Sequence, residues 1–215
     1  MWQAQVFTLY PDIFPGPLSK GLYGKAMSKN IWNLKVVNIR DAAEDKHKTV
    51  DDTPYGGGSG MLMKADVLAK SLDQNKNEGE KILYLSPRGK KFDQNYAKEL
   101  SKEKSVSIIC GHFEGVDERV LSTRNIEEVS IGDFILSGGE SAAFVVIDSI
   151  LRLLPGVLGN ENSTVNESFE NGLLEYPQFT KPQIWEEKAV PEVLLSGDHN
   201  KIKHWRLSQS EAITR

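Results

Sequence analysis

The residues of this chain best placed to do chemistry are glycines, carboxylates and one arginine rather than reactive nucleophiles. Glycine concentrates in three tracts: Tyr55-Gly56-Gly57-Gly58-Ser59-Gly60, Cys110-Gly111-His112-Phe113-Glu114-Gly115, and Ile131-Gly132-Asp133-Phe134-Ile135-Leu136-Ser137-Gly138-Gly139-Glu140. Glycine permits positive φ and close approach of the main chain, so such tracts can cradle a phosphate or a flat base. No Gly-Lys-Ser/Thr follows any of them, which excludes a Walker A loop, and a G-x-G-x-x-G dinucleotide fingerprint after a strand is absent. The four histidines form no metal motif: His199 and His204 are five residues apart and no cysteine pair supports them. The single cysteine, Cys110, closes an apolar run and reads as core, and no G-x-S-x-G elbow occurs. Glu161, Glu167, Glu170 and Glu175 lie in or just after a polar segment, Gly156–Gly172, where a carboxylate could act as a base or simply be a solvated linker acid. Arg152 stands at the end of an apolar stretch beside that segment, where it could snorkel or serve the loop.

Short β-branched runs alternate with helical patterns and would position these groups. Strands are predicted at Trp2–Leu9, Asn33–Ile39, Lys81–Leu85, Val106–Cys110 and Glu127–Ile131. Helices are predicted at Pro17–Lys29, Met61–Gln74, Asp93–Lys102, Val116–Thr123 and Glu140–Leu153. In the last, Ala143, Val146, Ile147, Ile150, Leu151 and Leu154 recur at helical spacing before Pro155-Gly156 stops it. Alternation of this kind predicts an α/β layered domain with a mostly parallel sheet. Two glycine tracts and Leu85-Ser86-Pro87 each follow a strand, and ligands of open α/β sheets bind at that edge. Asp41–Gly60 has no propensity for regular structure. The tail, Tyr176–Arg215, carries a predicted helix from His199 to Ser208 and is too small to fold alone.

The 215 residues allow one full domain with an appendage, and 39% hydrophobic with 26% charged residues is ordinary globular composition. One cysteine excludes an internal disulfide framework and makes the cytoplasm the expected compartment. The apolar stretch at Ala142–Ile147 meets Asp148 and Arg152 long before the roughly 20 residues of a membrane span, so no membrane partner is expected. The N-terminus lacks a basic region and a small-residue cleavage site, so no secretory signal is expected there. A net charge of -4 argues against wholesale coating of nucleic acid but leaves room for a local basic face.

Taken in order, several blocks resemble the bacterial tRNA (guanine-N1)-methyltransferase (TrmD) family of the SPOUT superfamily. They are Thr49-Val50-Asp51-Asp52 with Pro54-Tyr55-Gly56-Gly57-Gly58, then Leu85-Ser86-Pro87, then Cys110-Gly111-His112-Phe113-Glu114-Gly115-Val116-Asp117-Glu118-Arg119. Ser130 through Gly139, Pro155-Gly156-Val157-Leu158-Gly159, and Leu195-Ser196-Gly197 through Trp205-Arg206 complete the series. The resemblance implies a SPOUT-type α/β domain with a deep trefoil knot, although chains do not ordinarily thread their own loops. It divides the chain into an S-adenosyl-L-methionine-binding domain (1–155), a flexible linker (156–175) and a short helical C-terminal tRNA-binding region (176–215). It implies methyl transfer from S-adenosyl-L-methionine to N1 of guanine 37 of tRNA, by a homodimer whose active site is shared between subunits.

By the same resemblance, Leu85, Ser86, Pro87, Gly111, Glu114, Ile131, Gly132, Asp133, Phe134, Ile135, Leu136, Gly138 and Gly139 surround the methyl donor. His47, Asp51, Gly57, Gly58, Lys201, Lys203 and Arg206 meet the tRNA, and no metal is implied. The family assigns the general base to an aspartate before a Ser-Phe pair; here that position is Glu167, before Ser168-Phe169, and no aspartate occurs between Pro155 and Gly197. Glutamate is one methylene longer and slightly more basic in solution, about 4.3 against 3.9. Arg152 matches the arginine near the reacting base. Rival functions are a knotted methyltransferase acting on another RNA site, an RNA-binding module with a vestigial pocket and, more distantly, a nicotinamide-linked dehydrogenase.

Overall fold

In the computed structural model, residues 1–76, 79–159, 167–169 and 172–215 are described. They fall into two units, Met1–Gly159 and Asn160–Arg215.

The first unit is built on a five-stranded sheet in the order β2-β1-β6-β5-β7, where β1 is Trp2–Thr8, β2 Trp32–Asn38, β5 Lys81–Lys91, β6 Ser105–Ile109 and β7 Glu127–Ser130. Every pairing in it is parallel. Strands of such a sheet are buried on both faces and alternate their side chains between two cores. Ala4, Val6, Leu83, Leu85, Val106 and Ile108 join one core, and Phe7, Ile82, Tyr84 and Ile109 join the other. The first core is closed by α1 (Gly21–Ser28), α3 (Gln94–Leu100) and α5 (Glu140–Leu151); the second by α2 (Ala65–Asn75) and α4 (Glu118–Thr123). The helical spacing read in α5 is its buried stripe: Ala143, Val146, Ile147, Ile150 and Leu151 are all inaccessible to solvent. Burying a valine, isoleucine or leucine side chain in this way stabilises by about 1.5–3 kcal/mol. Side-chain caps start two of the shorter helices, Asp93 accepting from Tyr96 N and Asp117 from Arg119 N.

The structure corrects several element bounds. Met61–Met63 is not helical: Leu62–Met63 (β4) pairs antiparallel with Asp51–Asp52 (β3), Met63 N donates to Gly115 O, and α2 starts only at Ala65. Asp41–Gly60 is therefore not without structure; buried Val50 anchors it, and Asn38 caps a 3-10 turn over Ile39–Ala42. The helix expected over 17–29 is split, because Lys20 is extended between a 3-10 turn at Gly16–Ser19 and α1. Strand β5 runs to Lys91 rather than ending at Leu85, since its register with β7 breaks after Leu85 and resumes at Lys90.

In the second unit, β8 (Ile184–Trp185) and β9 (Lys188–Ala189) form a small antiparallel hairpin, followed by α6 (Glu192–Leu195) and α7 (His199–Thr214). Asp198 caps α7 by accepting from Asn200 N and Lys201 N, and the helix runs six residues beyond the expected Ser208. Leu174 N donates to Thr214 Oγ1, tying the segment before the hairpin to the far end of α7.

Candidate active site

Three loops at the carboxyl edge of the sheet enclose a cleft of about 410 Å³. The first is the bulge Ser86–Gly89, extruded where β5 loses register with β7. It exists because Gly89 crosses the β7 main chain so closely that any Cβ would collide with Glu128 and Val129. Arg88 fixes its outer side, donating to Glu118 Oε2 and Glu128 Oε2, each at 3.1 Å. Such exposed ion pairs orient a loop but contribute at most about 1 kcal/mol.

The second loop, Cys110–Gly115, leaves β6. A Cβ on Gly111 would lie 2.6 Å from Tyr84 Cε2, so only glycine lets this turn rest on the tyrosine ring. Burial raises the Tyr84 phenol above its usual range, so it stays neutral. Glu114 N donates to Met61 O at 2.9 Å, which joins this loop to the end of the Tyr55–Gly60 tract. The third loop, Ile131–Gly139, leaves β7 and enters α5. Its closest tie to the second is Gly139 N donating to Gly111 O at 3.0 Å. Phe134, Ile135 and Leu136 are exposed apolar side chains on the cleft wall.

Of the residues expected around a methyl donor, Leu85, Ser86, Pro87, Gly111, Glu114, Ile131, Gly132, Phe134, Ile135, Leu136, Gly138 and Gly139 line this one cleft; Asp133 lies in the third loop without lining it. Tyr84, His112, Phe113 and Ser137 also line it and were not singled out from the sequence. Phe113 and Ser137 sit inside the quoted tracts, so loop membership was the available signal; for Tyr84 it was the strand alternation.

Arg152 does not line the cleft. It caps the opposite end of α5 from Gly139, thirteen residues and about 20 Å away at 1.5 Å per residue. It is half-buried there, beside Asp148, which accepts a 2.7 Å hydrogen bond from Tyr23.

Glu167 belongs to the second unit and is half-buried. It lines a separate hollow of about 580 Å³ together with His199, Lys203, His204 and Arg206 of α7. Arg206 lies over the Tyr176 ring at 4.8 Å, while Lys201 pairs with Asp198 at 3.5 Å and lies outside the hollow. Ser168 and Phe169 hold the neighbouring main chain, Ser168 Oγ accepting from Glu175 N and Phe169 N donating to Leu173 O. Glu161 and Glu170 lie outside the described residues. Gly57 and Gly58 project into open space at φ +78 and +130, Asp51 sits in β3, and His47 is exposed with its amide on Asp45. Among the described residues no group of three His, Cys, Asp or Glu side chains could hold a metal ion, and no helix is long and apolar enough to cross a membrane.

An open parallel sheet with a glycine-walled cleft beyond its strand ends defines an α/β protein built to take a small ligand at that edge. The profile of the family described as tRNA (Guanine-1)-methyltransferase TrmD matches residues 2–215. A tRNA (guanine-N(1)-)-methyltransferase of Pelagibacter ubique (strain HTCC1062) is 83% identical over 215 residues, covering all of this chain and 94% of the relative. Proteins of the same name from Bartonella tribocorum and Brucella canis are 56% and 55% identical, covering all of this chain and 92% and 87% of theirs. The chain belongs to the TrmD family of tRNA (guanine-1)-methyltransferases.

Proposed function

We propose that this chain transfers a methyl group from S-adenosyl-L-methionine to N1 of a tRNA guanine, the one at position 37 beside the anticodon. The observation that carries the reading is the cleft where the three loops meet. Gly111, Gly138 and Gly139 put main chain rather than side chains along its wall, suited to reading an adenine and a ribose by amides and carbonyls. Phe134, Ile135 and Leu136 offer apolar surface to a flat ring. The fit is that of a binding cradle, and a methyl donor already activated as a sulfonium asks for no covalent nucleophile from it.

The remaining chemistry falls to alignment and proton removal. Guanine N1 carries a proton at neutral pH, and Glu167 takes it as the N1–C bond forms and the S–C bond breaks, releasing a neutral thioether. Arg152 binds guanine O6 and stabilises the negative charge that develops there. Alignment of acceptor and donor supplies much of the rate. The trefoil knot of the family is part of the same reading.

The protein acts as a homodimer in the cytoplasm. Arg152 stands about 20 Å along α5 from Gly139, a separation that supports its being supplied by a second subunit. The second unit, with Lys201, Lys203 and Arg206 on α7, binds tRNA phosphates, and His47, Asp51, Gly57 and Gly58 face the splayed anticodon loop. The test is to incubate the protein with S-adenosyl-L-methionine and tRNA carrying G37 or A37, then map the methylated nucleotide. N1-methylguanine at position 37 of the G37 transcript alone is expected. Methylation elsewhere, or none at saturating donor, overturns the assignment.

A further inference from the structure

Among the described residues of the first unit, Glu140 is the most deeply buried acidic side chain that the proposed reaction does not use, at 6% exposure. A carboxylate costs several kcal/mol to bury unless it is fully hydrogen-bonded. Here it is: Thr8 Oγ1 donates to Glu140 Oε1 at 2.6 Å, and His112 Nε2 lies 2.9 Å from both carboxylate oxygens. Thr8 ends β1, His112 belongs to the second cleft loop, and Glu140 opens α5 directly after the third. One carboxylate thus holds together a central strand and two of the three loops that wall the cleft. The pair also presses on Gly138, where a Cβ would lie 2.7 Å from both Glu140 Oε2 and His112 Nε2. The His112 ring, a wall of the cleft, is otherwise steadied by edge-to-face contact with Tyr10 at 5.0 Å.

We infer that Glu140 is a positioning residue for the methyl-donor site, acting through His112. It fixes the imidazole in the cleft wall and keeps the second and third loops in register with each other. The inference rests on the proposed reading of the cleft as the donor site. It differs from a purely structural role in where the damage falls. Loosening the two loops weakens donor binding, while tRNA binding through α7 and the rate at saturating donor remain close to normal.

The test titrates S-adenosyl-L-methionine calorimetrically into the full chain, wild type, Glu140→Gln, His112→Ala and the double variant, alongside steady-state kinetics. Loss of a hydrogen bond to a charged group predicts a donor Kd raised about tenfold or more in each single variant. Because both act through one contact, the double variant should be no worse than the poorer single one. KM for the donor should rise with Kd while KM for tRNA stays put. A folded Glu140→Gln that binds donor within twofold of wild type overturns the inference, as do multiplicative effects or a parallel rise in tRNA KM. Should Glu140→Gln fail to fold, His112→Ala carries the test, and an unchanged Kd there overturns it equally. Absence of donor binding by the wild type would instead remove the reading of the cleft, and this inference with it.

Discussion

Replacing Gly139 by alanine tests whether main-chain contact between the cleft loops is what shapes the donor site. Gly139 has φ -78 and ψ -9, ordinary for any L-residue, so the substitution brings no backbone strain of its own. The whole effect is steric. The new Cβ would lie 2.6 Å from Cys110 Cα, 3.0 Å from Gly111 N and 3.1 Å from Cys110 C, all main-chain atoms that cannot rotate away. Carbon atoms in contact rest about 3.5–4.0 Å apart, so the second and third loops must separate by about 1 Å. The hydrogen bond from Gly139 N to Gly111 O, 3.0 Å long, would then stretch to about 4 Å and be lost. Overpacking costs about 1–3 kcal/mol and the lost bond about 0.5–1.5 kcal/mol. If half of that falls on the ligand-competent arrangement, donor Kd rises about fourfold to fortyfold, measured by titration calorimetry. The remainder lowers Tm by several degrees, at about 2–4 °C per kcal/mol for a chain of this size. Gly57→Ala is the control: nothing lies within 4 Å of its Cβ, so any strain stays in an exposed loop and donor Kd is unchanged. A folded Gly139→Ala that binds donor within twofold of wild type would refute the argument.

Glu167→Gln should lower methyl transfer by about 10²–10⁴ with donor Kd unaltered, and a near-normal rate would remove the general base. Arg152→Ala should cost about 10²–10³ in the rate at saturating substrates, and an equal loss of donor affinity would reject its role at guanine O6. If Arg152 of one subunit serves the cleft of the other, mixing Gly139→Ala and Arg152→Ala chains restores one intact site in each mixed dimer. At donor concentrations well below the Kd of Gly139→Ala, activity should then recover to about a quarter of wild type, whereas a site built within one chain gives no recovery. Burial, aided by the Glu140 charge, pushes the Cys110 thiol well above its usual range. Above about pH 8.5 the unfolded chain therefore releases a proton that the folded chain keeps, and stability falls as pH rises towards the folded value. The urea midpoint of wild type should drop more steeply than that of Cys110→Ala over that window; parallel curves would contradict the shift.

The strands and α5 were legible because each obeys a period that burial enforces: two for Ala4, Val6 and Ile108, and near 3.6 for Val146, Ile147 and Ile150. Strand order was not, since β2-β1-β6-β5-β7 depends on which edges pair and periodicity is silent about that. The same limit hid β3 and β4, two residues each, whose pairing is held by Met63 on Gly115 and Lys64 on Val50. At the cleft, glycine marked the places where a side chain has no room, at Gly111, Gly138 and Gly139. What it could not mark was the neighbour that takes the room: Tyr84, the His112–Glu140 pair and the Cys110 main chain respectively. Glu140 was the least visible of all, because an acid in the first turn of a helix reads as ordinary complement to the helix dipole. Its partners lie 28 and 132 residues away in sequence, so only the folded sheet reveals that it is buried and shared. Arg152 makes the converse point. Its position along α5 was plain from the helical spacing, yet that spacing already set it about 20 Å from Gly139 at the other end of the helix. Loop motion cannot bring together two groups on one rigid helix, and this supports the proposal that the cleft and the Arg152 of one site come from different subunits.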